Sequence, residues 1–241
     1  MRARFSSLVT VLFFGAALCV AIYGGYWLRQ TPRFSLQFIQ VHAKYRFVTP
    51  QQIQQVMAPY LHQVNFFSAP MSALEKALLA VPAVARVKLA RKWPGRLEVR
   101  LWERQPVAVW NGDSLIDAAG YIFPAPKTAA WFSLPRLVGQ KSQAKHLLRT
   151  CHQFQSALNQ VGLVLRTCSL SGTVNWSLQL IPGDFWAYLG NRFLPQRMER
   201  LVGSYPVLIK TNPKHKIACC DLRYPQGLAV RWVSAQTTLK S

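Results

Sequence analysis

Acid is what this chain has least of. Eight Asp and Glu stand against 29 Lys and Arg in 241 residues, a formal net charge of +21. The acids are Glu75, Glu98, Glu103, Asp113, Asp117, Asp184, Glu199 and Asp221. Such an excess of cations favours an anionic partner: nucleic acid, lipid headgroups or an acidic protein segment. It also leaves little for carboxylate chemistry. Glu98 and Glu103 are near in sequence but lie an odd number of residues apart on a predicted strand, so they face opposite sides and form no acid/base pair.

Catalytic motifs are missing as well. There is no His-Glu-x-x-His, no Gly-x-Ser-x-Gly and no phosphate-cradling glycine loop. His146 and His152 share a predicted helix at a separation that does not align two metal ligands, so both read as surface histidines. The five cysteines include no Cys-x-x-Cys. Cys151, Cys168, Cys219 and Cys220 are too sparse for a disulfide-built scaffold, and the adjacent Cys219 and Cys220 read as one buried and one half-exposed thiol on opposite faces of a strand. These absences argue against an enzyme and call for no cofactor and no metal. An apolar content of 51% argues equally against a disordered chain.

Charge is absent altogether from Leu8 to Leu28, LVTVLFFGAALCVAIYGGYWL. As a helix this stretch spans roughly 30 Å, the thickness of bilayer hydrocarbon. Arg2 and Arg4 precede it, and Tyr23, Tyr26 and Trp27 stand at its far end as an aromatic belt. A cleavable signal peptide would have a shorter apolar region and end in a small-x-small site, where this one ends Gly-Gly-Tyr-Trp-Leu. The reading is a single transmembrane helix over 8–28, a cytoplasmic tail over 1–7 and an exported body. An exported body has no access to chromosomal DNA, so nucleic acid drops out as a partner.

The body divides near residue 104. Gln37–His42 is a short strand. Thr49-Pro50-Gln51-Gln52 then places an N-cap, a proline at the first helical position and a capping-box glutamine ahead of Ile53, Val56, Met57 and Tyr60 at helical spacing. Ser72-Ala73-Leu74-Glu75 opens a second helix that ends before Pro82. A hairpin follows, VARVKLARKWPGRLEVRLWERQPVAVW from Val84. Ala85, Val87, Leu89, Leu97, Val99 and Leu101 form its apolar face; Arg86, Lys88, Arg96, Glu98, Arg100 and Trp102 form the other. Pro94-Gly95 suits a type II turn. The order β-α-α-β-β predicts a small sheet with two helices on one face and the other face open.

Residues 105–233 read as a mixed β domain. Strands are expected at Val107–Trp110, Ser114–Ala118, Tyr121–Phe123, Leu163–Leu170, Val174–Ile181, Asp184–Leu189, Lys216–Tyr224 and Gly227–Val233, with helices over 142–161 and 195–207. The tail 234–241 is polar and expected to be disordered. In the last strand Leu228, Val230 and Trp232 share one face, and Ala229, Arg231 and Val233 the other. A terminal strand at a sheet edge can accept an extended peptide as an added strand, and Arg223, Tyr224 and Arg231 suit an acidic, aromatic-bearing one.

The quoted segments together resemble the FtsQ/DivIB family of single-span cell-division proteins. The resemblance runs through VTPQQI, the (K/R)-x-W-P hairpin turn, the E-x-x-P-x-A-x-W continuation at Glu103–Trp110, LIDAAGYIF, RMERLVGSYPVL and the Asp221-Leu222-Arg223-Tyr224 box. It implies an α+β chain with a periplasmic POTRA domain at 33–104, a β domain at 105–233 and no catalysis. It further implies an inner-membrane scaffold at the division septum that pairs its last strand with an FtsB-like protein, accompanied by an FtsL-like one. The residues that match that interface are Arg223, Tyr224, Gln226, Gly227, Leu228, Ala229, Val230, Arg231 and Trp232. The POTRA face with Arg86, Lys88, Arg96 and Arg100 would receive other division proteins. The chain departs from the family pattern at Pro225-Gln226, where a small polar pair is common, and at Thr173 and Val174, where an arginine can stand. The competing reading is a POTRA-bearing module of an envelope secretion or outer-membrane assembly system.

Overall fold

The computed structural model describes residues 15–24, 36, 38–61, 64–126, 131, 133–172 and 175–234. It separates into two compact units, Met1–Arg104 and Gln105–Ser241. Residues 15–24 form a helix, α1. Among the described residues no helix is long and apolar enough to cross a membrane, and the remainder of the span 8–28 lies outside them. The departures at Thr173 and Val174 and the tail 235–241 also lie outside the described residues; Ser234 belongs to the last strand.

The first unit is β1 (Phe38–His42), α2 (Pro50–Leu61), α3 (Met71–Leu79), β2 (Val84–Lys92) and β3 (Arg96–Glu103). The sheet order is β1-β3-β2, with β1 parallel and β2 antiparallel to the central β3. Thr49 caps α2 as its sequence predicts, with Oγ1 accepting from the Gln52 N–H at 3.2 Å. Ile53, Met57, Leu74 and Leu78 on the helices and Val87, Leu97, Val99 and Leu101 on the sheet are buried. Each such side chain contributes about 2 kcal/mol by leaving water.

Three local expectations are corrected. Ser72 does not open the second helix: α3 begins at Met71, with Pro70 as its N-cap and no side-chain cap. Ala85 is exposed, because a bulge between Val84 and Arg86 shifts the register and puts Val84 into the core instead. The hairpin turn is not type II. Its Trp93–Pro94 bond is cis, an option that proline's tertiary amide opens, and only the positive φ of 64° at Gly95 matches the expected turn.

Glu103, at the end of β3, is buried and organises the chain ahead of α2. Its carboxylate accepts from the backbone N–H of Arg46 (3.1 and 2.9 Å), Phe47 (3.1 Å) and Val48 (3.0 Å). Three donors that β1 and α2 leave unpaired are thereby satisfied by one anion.

The second unit is a nine-stranded sheet in the order β12-β11-β10-β9-β8-β7-β4-β5-β6. In sequence these are β4 (Pro106–Trp110), β5 (Ser114–Asp117), β6 (Ile122–Pro124), β7 (Arg136–Val138), β8 (Val164–Ser171), β9 (Asn175–Ile181), β10 (Phe185–Gly190), β11 (His215–Asp221) and β12 (Ala229–Ser234). Two helices, α4 (Ala144–Leu158) and α5 (Leu194–Thr211), pack on β8 and β10 respectively and on each other. The sequence reading has no counterpart of β7, a three-residue strand that pairs in parallel with both β4 and β8 and so joins the two halves of the sheet. In β9, Trp176, Leu178 and Leu180 are buried, as the alternation requires.

Cys151 on α4 and Cys168 on β8 form a disulfide with Cα atoms 6.3 Å apart, both side chains in the core. Cys220 is buried and Cys219 half-buried, matching the expected alternation. Burial, with a smaller contribution from Cys219, pushes the Cys220 thiol up to about 12, so it stays protonated. His146 and His152 are both exposed on α4.

Replacing Glu103 by Gln keeps the shape but removes acceptor capacity toward the Arg46–Val48 amides. Chemical unfolding of Glu103→Gln should show a loss of about 2 kcal/mol.

Candidate functional site

β12 is one end of the sheet: it pairs with β11 on one side, and no strand among the described residues pairs with its other side. Its register on β11 runs from Asp221↔Ala229 to His215↔Ser234. Val230 and Trp232 are half-buried against the core together with Leu228, while Ala229, Arg231 and Val233 are exposed. The face assignment made from the sequence therefore holds. The strand is shorter at its start than expected, beginning at Ala229, so Gly227 and Leu228 belong to the preceding loop. Pro225 sits in that loop as well, and its missing N–H costs β12 no hydrogen bond.

The loop between β11 and β12 is held by two arginines one turn apart on α5. Buried Arg197 donates through Nη1 to the Leu189 carbonyl and through Nη2 to the Arg223 carbonyl at 2.8 Å. Arg200 donates to the carbonyls of Tyr224 (2.9 Å), Gly227 (2.9 Å) and Pro225 (2.8 Å). The Leu222 N–H reaches the Tyr188 carbonyl at 2.9 Å. Arg197 can pass so near the sheet because residue 190 is glycine. With φ of 68°, a Cβ there would lie 2.9 Å from Arg197 Nη1 and 3.2 Å from Arg223 Cγ.

On the surface of the same loop, Arg223 folds back on Asp221, with Nη2 2.7 Å from Oδ2. The Arg223 side-chain hydrogen bond, more than any other influence, holds the Asp221 carboxyl below the usual carboxylate value. Arg223 therefore reaches the surface with a carboxylate already beside it, and Arg231 is the exposed cation of the strand itself. Tyr224, 57% exposed, follows Arg223 in the loop.

Family models match both units: "POTRA domain, FtsQ-type" over residues 34–104, and "Cell division protein FtsQ/DivIB, C-terminal" over 108–223. The Cell division protein FtsQ of Shewanella oneidensis is 33% identical over 220 residues, covering 90% of this chain and 82% of its own. The chain belongs to the FtsQ/DivIB family. The FtsQ of Coxiella burnetii is 35% identical over 170 residues (70% of this chain, 69% of its own), and that of Aliivibrio fischeri 27% identical over 232 residues (96% and 88%). Family membership favours cell division over the secretion-module reading.

The other surface singled out in the sequence is the outer face of the FtsQ-type POTRA sheet. The register places Arg86, Lys88, Arg96 and Arg100 together on that face, as expected. Their charges are partly engaged. Arg100 lies 2.6 Å from Glu98, whose carboxyl is lowered chiefly by that hydrogen bond, and Arg86 stacks 4.2 Å over the Trp102 ring. Glu98 lies on that face as expected but is buried, paired with Arg100. Glu103 faces the other way, so the two acids do not meet.

A cavity of about 940 Å³ lies between α4 and the β4–β7 part of the sheet, lined by Val107, Leu137, Leu148 and Leu165, with Lys145, Arg149 and His152. Among the described residues no three His, Cys, Asp or Glu side chains gather as a metal site. What the sequence reading missed is the pair Arg197 and Arg200. The signal was present as Arg-x-x-Arg in RMERL, where two cations at helical spacing sit on a turn that also buries Met198 and Leu201.

Removing the Arg200 head group should loosen the loop without unfolding the domain. In Arg200→Ala, hydrogen exchange at the amides of Tyr224, Gln226, Gly227 and Leu228 should accelerate roughly tenfold, about 1.4 kcal/mol of local opening. The Asp221–Arg223 pair makes stability depend on acid. Because the native Asp221 carboxyl titrates below its unfolded value, its contribution is complete above about pH 4 and is lost as pH falls through the lowered native value. Acid titration of unfolding should give a shallower loss in Asp221→Asn than in the wild type.

Proposed function

We propose that this chain is a non-enzymatic scaffold of the division machinery, held in the inner membrane by one helix over 8–28 with its C-terminal body in the periplasm. At the septum it recruits FtsB-like and FtsL-like single-span proteins, linking early and late division proteins. An extended segment of the FtsB-like partner adds to the open edge of β12. Backbone hydrogen bonds supply affinity, and alternate side chains supply selectivity.

The observation that carries this reading is the open edge of β12, preceded by a loop that Arg197 and Arg200 have already ordered. An ordered loop spares the complex the conformational entropy of fixing it on binding. Arg231 and Tyr224 then offer a cation and an aromatic ring to an acidic strand, with Gln226, Ala229 and Val230 along the same path. Trp232 contributes from beneath, as half-buried packing. The Cys151–Cys168 disulfide supports an oxidising compartment for the body. The cationic POTRA face, Arg86, Lys88, Arg96 and Arg100, is the surface for other division proteins.

Photocrosslinking in growing cells tests the interface, with benzoylphenylalanine replacing Tyr224 or Arg231 and, for comparison, Arg100. The two C-terminal positions should trap a small single-span coiled-coil protein. Empty lanes at both, with capture of another envelope protein at position 100, would move the partner site to the POTRA face.

A further inference from the structure

One end of the POTRA sheet carries an aromatic tip that strand addition at β12 does not use. Phe38, Arg96 and Lys92 stand in one row across β1, β3 and β2 on the outer face. Trp93 projects from the adjoining turn and packs edge-on against Phe66 at 5.8 Å and tilted against Phe67 at 6.4 Å. Arg91 donates to the Ala69 carbonyl at 2.8 Å, fixing the Phe66–Phe67 loop against the hairpin. Despite that packing, Trp93 is 65% exposed, Phe38 62% and Phe67 38%. Arg91, Lys92 and Arg96, all exposed, surround the rings, and Glu98 in the next row is held by Arg100.

Exposed aromatic rings clustered among lysine and arginine match the composition of a membrane–water interface, where rings enter the headgroup layer and cations meet anionic lipid. The path of the chain tethers this end to the proposed span. Because β1 runs parallel to β3, its first residue lies beside the hairpin turn, and the Phe38 N–H donates to the Gly95 carbonyl at 3.4 Å. The proposed span ends at Leu28, and the nine residues 29–37 reach no more than roughly 30 Å. That linker adds two further cations, Arg29 and Arg33.

We propose that the tip formed by Phe38, Phe67 and Trp93, with Arg91, Lys92 and Arg96, seats in the headgroup layer of an anionic bilayer. This gives the unit a second, peripheral membrane contact that sets its orientation. The inference rests on the membrane anchor proposed above.

The test uses the full chain in nanodiscs of phosphatidylcholine with or without phosphatidylglycerol. Benzoylphenylalanine replaces Trp93 or Phe38 at the tip, Val20 in the span, and Tyr121 in the second unit as a surface reference. Lipid labelling from positions 93 and 38 should exceed that from 121 at least fivefold in phosphatidylglycerol discs. It should fall toward the reference without that lipid, or when Lys92→Glu and Arg96→Glu are combined. Labelling at position 20 should persist in every disc. If position 20 labels lipid while 93 and 38 match 121, the tip is not seated and the anchor stands. Tip labelling indifferent to lipid charge overturns the anionic assignment. No labelling at position 20 overturns the anchor and the inference with it.

Discussion

Two guanidinium groups on one helix hold the end of this molecule in shape. Arg197 and Arg200 together donate to five backbone carbonyls, that of Leu189 in β10 and those of Arg223, Tyr224, Pro225 and Gly227 in the loop ahead of β12. Without those donors the loop ahead of β12 would carry unsatisfied polar groups, and the last strand would enter the sheet from a mobile segment. The arrangement reaches back through Gly190, whose missing side chain lets Arg197 lie against β10. An open strand edge is ordinarily a route to self-association. Here a chain of net charge +21, with Arg231 exposed on the edge strand itself, repels a second copy and favours an acidic segment.

The POTRA unit solves a different problem with a similar device. A single buried carboxylate, Glu103, gathers the amides of Arg46, Phe47 and Val48 and so sets the entry to α2. The acids of this chain are few, and several of them are structural. Glu98 neutralises Arg100, Asp221 holds Arg223, and Asp117 accepts the amides of Ala119 and Tyr121 in its turn. Apart from such structural arginines as Arg197 and Arg200, the cations stand in large excess at the surface, where they favour acidic partners.

Much of this was legible because the physics is local. Thr49-Pro50 announces α2, the alternation in NWSLQLI announces β9, and the face of β12 follows from Leu228, Val230 and Trp232 at period two. Errors arose where a competing local signal or a distant contact outweighed the pattern. Ser72 fits a capping box, but Pro70 starts the helix first. Ala85 fits the alternation until the bulge at Val84 inverts it. Strand β7 is too short to show a period, and it exists because β4 and β8 flank it. Of the candidate site, the strand was readable and the loop clamp was not. Arg197 and Arg200 resemble any surface cations until the fold sets carbonyls in front of them.

Strand addition makes a demand that no other mode of docking makes. In an antiparallel edge strand, alternate residues direct their N–H groups outward, so a partner strand protects every second amide. Hydrogen exchange of Ala229 to Ser234, with and without an FtsB-like partner, reads this directly. The account predicts that the outward amides of β12, fast in the free chain, slow markedly in the complex while those facing β11 change little. Uniform or absent change along β12, with protection appearing instead on the POTRA sheet, would contradict it.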